Sequence, residues 1–172
     1  MSPAFTTLEL ERAQEIYDLV FPSDLVAFLS EDQPLKTYDW RTDNQAIRQM
    51  LCWPEDGLIF DVEHNALWLD EWGERPPRQE DRAEVVRQAV AAAPRLIPIF
   101  AHRFLPSEPS LAGNPVFSVY QADIIVYGAN LDDYIEREIN DRSSRAWPED
   151  IRRIRFWSDL VDRNNSYEGV NL

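Results

Sequence analysis

Cysteine and lysine are nearly absent from this 172-residue chain, which contains one Cys, one Lys and five Gly. A single thiol cannot form a disulfide within the chain, which favours a reducing cytoplasm. The glycines are not grouped, so the sequence has no glycine-rich loop of the kind that cradles phosphate. Cys52 lies in an apolar context between Leu51 and Trp53, which predicts a buried structural thiol.

Long apolar runs are also missing, although 44% of the residues are hydrophobic and 12% are aromatic. No run approaches the roughly 18 apolar residues that a membrane helix needs. The N-terminal residues lack a basic segment followed by an apolar one, so we expect no signal peptide. The composition predicts one cytoplasmic globular domain with a sizeable core.

Motifs for catalysis and for metal binding are sparse. The chain has two histidines, no cysteine pair and no spacing typical of a zinc site. His64 stands beside Glu63 and near Asp61, so a carboxylate-rich metal site is the minor alternative to a structural or surface histidine. No serine lies in a nucleophile elbow. We therefore expect no cofactor, no metal and no enzymatic activity.

Negative charge is abundant: 31 acidic residues against 17 basic ones give a net charge of −14. Eighteen of the acidic residues and only six of the basic ones lie in residues 1–81. Such a surface repels nucleic acid and anionic lipid and attracts basic partners. The alternative is that the charge serves solubility alone.

The segment from Glu55 to Glu74 combines seven carboxylates with two tryptophans and contains no Lys or Arg. Aromatic and acidic side chains together suit a surface that meets an Arg-rich or Lys-rich protein. The alternative is that both rings pack against the edge of a sheet. We predict a partner-binding face made of Glu55, Asp56, Asp61, Glu63, Trp68, Asp70, Glu71, Trp72 and Glu74.

Apolar residues at helical spacing predict six helices. They cover residues 6–20, with Thr6 and Glu9 as a capping box, and residues 23–29, capped by Ser23. A third helix is expected from Asp43 to about Pro54, where the proline stops it. The others are expected at 80–93, from Asn130 onward, and at 148–163, with Trp157 in the core. Residues 164–172 are expected to be a frayed tail.

Strand-like patterns cluster in the middle of the chain. Leu58–Val62 reads as a strand, and Leu96–Phe104 as one strand or a pair of short ones. Val116–Tyr120 and the run that follows Asp123 predict an antiparallel hairpin with Gln121 and Ala122 as its turn. Helices lead, strands follow and helices end the chain. This order predicts an α+β fold with a twisted, mainly antiparallel sheet and helices packed around it.

Several residues around the hairpin are predicted to be structural. Asp123 is expected to stabilise the turn by accepting hydrogen bonds, since a carboxylate is otherwise costly in an apolar hairpin. Asn114 and Pro115 lead from a loop into the first strand. After the second strand, which contains Tyr127 and ends at Gly128, Asn130 is expected to cap the next helix.

These segments together resemble the SUKH superfamily, which is named in part for a yeast cell-wall assembly regulator. The strongest likeness lies in LIPIFAHRF followed by GNPVFSVYQADIIVYGANLDDYIEREI. FPSDLVAFL, the tryptophan-rich FDVEHNALWLDEWGERPP and the terminal RIRFWSDL resemble other family segments in the same order. The resemblance covers nearly the whole chain, residues 1–172, as a single SUKH-like domain.

The resemblance implies a cofactor-free α+β protein-binding domain. Bacterial members are regarded as immunity proteins that neutralise toxins, often nucleases. An acidic face suits that role, because a nuclease needs a cationic cleft to hold phosphates. We therefore expect an immunity protein whose partner is a basic toxin domain, with no direct binding to nucleic acid or membrane. The alternative is a housekeeping regulator or scaffold that binds cellular proteins, as the eukaryotic relatives suggest.

Overall fold

The computed structural model describes residues 3–33, 38–140 and 146–168. Over these residues it contains six α-helices and one four-stranded antiparallel sheet. The predicted α+β fold is thus confirmed. No helix in the described part of the chain is long and apolar enough to cross a membrane.

The described elements occur in the following order along the chain. The helices are α1 (Thr7–Tyr17), α2 (Ser23–Leu29), α3 (Gln45–His64), α4 (Gln79–Ala92), α5 (Leu131–Asn140) and α6 (Trp157–Glu168), with a 3₁₀ turn at Asp70–Trp72. The strands are β1 (Leu96–Phe100), β2 (Arg103–Pro106), β3 (Val116–Tyr120) and β4 (Asp123–Gly128).

The sheet is a meander in which each strand pairs with the next, in the order β1-β2-β3-β4. The segment predicted as one strand or two forms the pair β1 and β2. The predicted hairpin is confirmed as β3 and β4, in which Tyr120 is the register partner of Asp123. Gln121 occupies the turn with a φ of 58°, a left-handed conformation typical of tight hairpin connections.

Polar caps fix the starts of several helices. Thr6 and Glu9 form the predicted capping box of α1, and Asn130 Oδ1 accepts a 2.8 Å hydrogen bond from Asp133 N in α5. The cap of α3 is Asn44, which accepts from Ala46 N, and not the predicted Asp43. Ser23 makes no cap hydrogen bond but is the first residue of α2.

Helix α3 differs most from the prediction. It passes through Pro54 and continues to His64, so Leu58–Val62 is helical and the predicted strand there is wrong. Ile47, Pro54, Leu58 and Val62 are buried at helical spacing, and the proline ring packs in the core. Burial of this long apolar stripe outweighs the hydrogen bond that the proline cannot donate.

The last helix is shifted toward the C-terminus. It begins at Trp157 and not at Pro148, because residues 146–156 form an irregular segment. Its first turn is fixed by Ser158, whose Oγ accepts a 2.8 Å hydrogen bond from Ile154 N. The helix includes residues 164–168 of the predicted frayed tail, and residues 169–172 lie outside the described residues.

Two hydrophobic clusters lie on opposite faces of the sheet, because successive strand residues point in opposite directions. Ile97 and Leu105 pack with the apolar residues of α1, α2 and α5. Phe104 and Phe117 pack with α4, α6 and the second half of α3, where Trp157 is buried as predicted. The sheet is therefore the middle layer between two groups of helices.

Candidate functional site

The predicted partner-binding residues are divided among several elements. Glu55, Asp56, Asp61 and Glu63 lie on α3, whereas Trp68 to Glu74 belong to the connection between α3 and α4. Asp56 and Glu63 are seven residues apart and share one side of the helix, whereas Glu55 and Asp61 point in other directions, because successive residues are about 100° apart. The structure therefore does not bring the nine predicted residues together as one surface.

Asp61 does not belong to an exposed face. Its side chain is only 6% exposed, and its Oδ2 accepts a 2.7 Å hydrogen bond from the backbone N–H of Ala122 in the β3–β4 turn. Its Oδ1 accepts another from Asn65 Nδ2. The carboxylate that supports the turn is thus Asp61 and not the predicted Asp123, which is exposed. A partner cannot contact Asp61 without disrupting the fold.

Glu63 is also committed within the chain. Its two carboxylate oxygens accept hydrogen bonds of 2.7 and 2.5 Å from Nε and Nη2 of Arg82 in α4. These bonds lower the pKa of Glu63. The pair is largely shielded, with side-chain exposures of 16% for Arg82 and 11% for Glu63. Glu63 therefore joins α3 to α4 and is removed from the binding face.

Glu55 lies at a groove of 360 Å³ between α3, α4 and β1, floored in part by Trp157. Desolvation raises the pKa of Glu55, although Arg87 lies 3.8 Å away. Cys52 lines the same groove and is exposed, so the prediction of a buried thiol is wrong. Desolvation and the charges of Asp56 and Glu55 raise the pKa of this thiol, which makes it a poor nucleophile at neutral pH.

Trp68 and Trp72 pack against each other rather than facing solvent. Their rings meet edge to face with centroids 5.3 Å apart, and both lie against the second hydrophobic cluster. Trp68 Nε1 donates a 2.8 Å hydrogen bond to the carbonyl of Gly73. These contacts fix the α3–α4 connection, so the alternative in which the two rings pack describes them better than the binding role.

Three predicted carboxylates remain exposed on that connection. We call Asp70, Glu71 and Glu74 the acidic loop. Among the described residues, no arginine lies within ion-pair distance of these three carboxylates. The 3₁₀ turn and the tryptophan pair hold this loop in place. The acidic loop keeps the charge that was predicted for a partner-binding face.

A second exposed group includes Asp56 from the predicted face, but its other members were missed by the sequence reasoning. We call Trp53, Asp56, Phe60, His64 and Tyr120 the α3 face. The first four follow one another along the helix at spacings of three and four residues, so they share one side of α3. All five are exposed, and Trp53, Phe60 and Tyr120 are 38%, 43% and 57% exposed. The spacing of these residues indicates a common face only if α3 is continuous from Trp53 to His64. The sequence analysis expected the helix to stop at Pro54, so it did not place these residues on one helix.

Trp53 and Tyr120 form the centre of the α3 face. Trp53 Nε1 donates a 3.0 Å hydrogen bond to the carbonyl of Val119. Val119 follows Ser118, the last residue of β3 that is in register with β2. The ring centroids of Trp53 and Tyr120 are 6.1 Å apart and their planes are tilted by 59°. The indole is therefore held rigidly while much of its surface remains available to a partner.

Phe60 and His64 extend the face toward the end of α3. Their rings stack with centroids 4.2 Å apart and an interplanar angle of 17°. His64 Nδ1 lies 2.9 Å from the carbonyl of Phe60, which places a proton on that nitrogen. Asp61, Glu63 and His64 thus have separate contacts, and no group of metal-ligating side chains is found in the described ranges.

The arginines of the described chain are largely paired within it. Arg41 binds Glu9 and Asp39, Arg82 binds Glu63, and Arg153 binds Asp159 and Asp162. Others donate to backbone carbonyls, as Arg75 does to Val62. The excess negative charge is consequently displayed without its counterions at the α3 face and the acidic loop.

The predicted structural residues take part in the loops around the hairpin. Asn114 is fully buried and donates to the carbonyls of Pro106 and Pro109, while its Oδ1 accepts from Arg152. Pro115 follows it in a buried position before β3. The guanidinium of Arg103 lies 3.6 Å from the ring centroid of Tyr127.

Gly128 is required by close packing at the end of β4. A Cβ atom at this position would lie 2.6 Å from the Cβ of Tyr134 in α5, so a larger residue would displace the helix. Asn130 then starts α5, as described above. These residues position α5 on the sheet and do not form a binding surface.

Comparisons with known proteins add no further assignment. No family model, no curated protein and no solved structure matches the chain.

Proposed function

We propose that this protein is a non-catalytic binding module for a basic protein partner, and that it acts as an immunity protein against a cognate toxin domain. The observation that carries the proposal is the α3 face, where the exposed rings of Trp53 and Phe60 share one side of the helix with Asp56 and the exposed ring of Tyr120 lies beside Trp53. Exposed aromatic residues are typical of protein interfaces, since such rings supply large contact areas at low entropic cost.

The charge distribution supports a basic partner. The net charge is −14, and the acidic loop and Asp56 lack arginine partners in the described chain. Like charges across an interface are unfavourable, whereas opposite charges speed association and select the partner. A cationic cleft that holds phosphates would therefore be attracted to this surface and blocked by it.

The toxin-neutralising role rests on the resemblance to the SUKH superfamily together with this charge pattern. The test is to express the product of the adjacent gene alone and with this protein. We expect co-expression to restore growth and the two purified proteins to form a complex. An inert neighbour that forms no complex would contradict the immunity role. An isolated gene, together with specific binding to a basic cellular protein, would favour the regulatory or scaffold role.

A further inference from the structure

Arginine side chains in this protein are repeatedly seated on aromatic rings. The guanidinium carbon of Arg41 lies 3.8 Å from the ring centroid of Phe5, and its nitrogens are 2.8 Å from Glu9 and 3.1 Å from Asp39. Arg103 and Arg137 lie 3.6 and 4.0 Å from the centroids of Tyr127 and Trp147. A ring combined with a carboxylate thus holds the guanidinium of Arg41 and also that of Arg137, which lies 2.8 Å from Asp133.

The α3 face presents the same two components without a cation. Asp56 is three residues after Trp53 on one side of the helix, so their Cβ atoms are about 5–6 Å apart. In the described part of the chain, no arginine lies over the rings of Trp53, Tyr120 or Phe60. The negative charge of Asp56 is likewise unpaired there.

The two rings offer exposed surface for a planar group to stack on, since Trp53 and Tyr120 are 38% and 57% exposed. The ring centroids of Trp53 and Tyr120 are 6.1 Å apart and the ring planes are tilted by 59°, and we call this ring pair the wedge. The hydrogen bond from Trp53 to Val119 fixes one wall of this wedge before any partner arrives. A partner side chain would therefore bind with little loss of entropy in the protein itself.

We propose that the α3 face binds an arginine side chain of the partner, which stacks on the exposed surface of the Trp53–Tyr120 wedge and donates hydrogen bonds to Asp56. This inference rests on the proposed function and identifies the side chain of the basic partner that anchors it to this surface. Arginine fits better than lysine, because a guanidinium is planar, weakly hydrated and able to donate two parallel hydrogen bonds to a carboxylate.

The test uses three short peptides as probes, which carry two arginines, two lysines or two citrullines between glycines. Each is titrated into the ¹⁵N-labelled full chain, and amide and indole resonances are followed by NMR. We expect the arginine peptide to shift the Trp53 indole N–H and the amides of Asp56 and Tyr120. The lysine peptide should bind at least about threefold more weakly, and the neutral citrulline peptide should leave these signals unchanged.

Variants separate the wedge from general charge. Tyr120→Ser and Asp56→Asn alter exposed side chains, so they should preserve the fold and weaken binding of the arginine peptide. Trp53→Phe tests the indole itself. Trp147→Phe is the matched control, because Trp147 is also an exposed tryptophan but already carries Arg137 over its ring. Its substitution should leave the peptide affinity unchanged.

The outcomes distinguish this inference from the proposed function. Equal binding of the arginine and lysine peptides, shifts confined to the acidic loop, or no shift at the α3 face would overturn the arginine anchor. Each of these results would leave a basic partner possible through the acidic loop. Arginine-specific shifts at the wedge together with an inert adjacent gene product would instead support the anchor and overturn the immunity role.

Discussion

The carboxylate of Asp61 accepts a 2.7 Å hydrogen bond from the backbone N–H of Ala122, 61 residues later in the chain. This bond ties the sheet, the middle layer of the fold, to α3, and Ala122 lies two residues after Tyr120, whose ring packs against Trp53. The α3 face consequently combines residues of two separate elements, a helix and a hairpin. The buried carboxylate of Asp61 holds these two elements together.

Removal of this carboxylate tests that connection. Asp61→Ala leaves the Ala122 N–H without its acceptor, so we expect the free energy of unfolding to fall by about 1–3 kcal/mol. Urea denaturation monitored by tryptophan fluorescence measures the change. Asp123→Ala is the control, because Asp123 is exposed, and it should change stability by no more than about 0.5 kcal/mol. A larger loss of stability in Asp123→Ala than in Asp61→Ala would show that Asp123, and not Asp61, stabilises the hairpin turn.

Gly57 lies where α3 approaches the hairpin turn. A Cβ atom there would be 2.8 Å from the Cα of Gln121. Alanine at an unobstructed helical position stabilises by roughly 0.5–1 kcal/mol relative to glycine. Gly57→Ala should instead destabilise by about 1–3 kcal/mol, because the hairpin must move. Thermal denaturation decides the sign, and a higher melting temperature would show that the two elements are not in close contact.

Asn114 links the loop before β3 to two carbonyl groups. Asn114→Ala should lower the free energy of unfolding by about 1–3 kcal/mol, because the carbonyls of Pro106 and Pro109 lose their donor. Chemical denaturation provides the value. The exposed Ser110→Ala in the same loop is the control and should stay within about 0.5 kcal/mol of the original protein.

The Glu63–Arg82 pair makes stability depend on pH. Hydrogen bonds from Arg82 lower the pKa of Glu63 from its ordinary value of 4.5, so the ionised carboxylate favours the folded state. This contribution is present above pH 4.5 and is lost as the pH falls below that value through the folded-state pKa. Glu63→Gln should therefore melt below the original protein at neutral pH, and the two curves should converge in acid.

The partner variant Arg82→Gln provides the matching control. Its difference from the original protein should narrow in acid, because a protonated Glu63 no longer benefits from the guanidinium. The difference should not vanish, because Arg82 Nη1 also donates hydrogen bonds to the carbonyls of Pro76 and Pro77 at every pH. Melting temperatures measured from neutral pH down to about pH 3 record both series. A difference that persists unchanged at the acidic end would mean that packing, and not the charge, accounts for the contribution.

Local signals made much of this fold predictable. The capping box of α1, the Asn130 cap and the two-residue turn of the hairpin each depend on neighbouring residues, and the structure contains all three. Helix α3 depends on distant packing. Pro54 suggests a stop and Leu58–Val62 resembles a strand, but burial against the sheet keeps the helix continuous.

The binding surface was predictable only in part. The charge of the acidic loop is visible in composition, whereas the roles of Asp61 and Glu63 depend on Ala122 and Arg82, which are remote in sequence. The pairing of Trp53 with Tyr120 joins residues 67 positions apart. No periodicity within one segment could have indicated it.

The salt dependence of partner binding tests the central claim most directly. The association rate constant with the purified product of the adjacent gene should be measured between about 0.05 M and 0.5 M salt. We expect it to fall at least about tenfold over this range, because opposite charges steer the encounter. Replacement of Asp70, Glu71 and Glu74 by their amides should flatten this dependence. A rate constant that is the same at both salt concentrations would contradict a charge-directed interface.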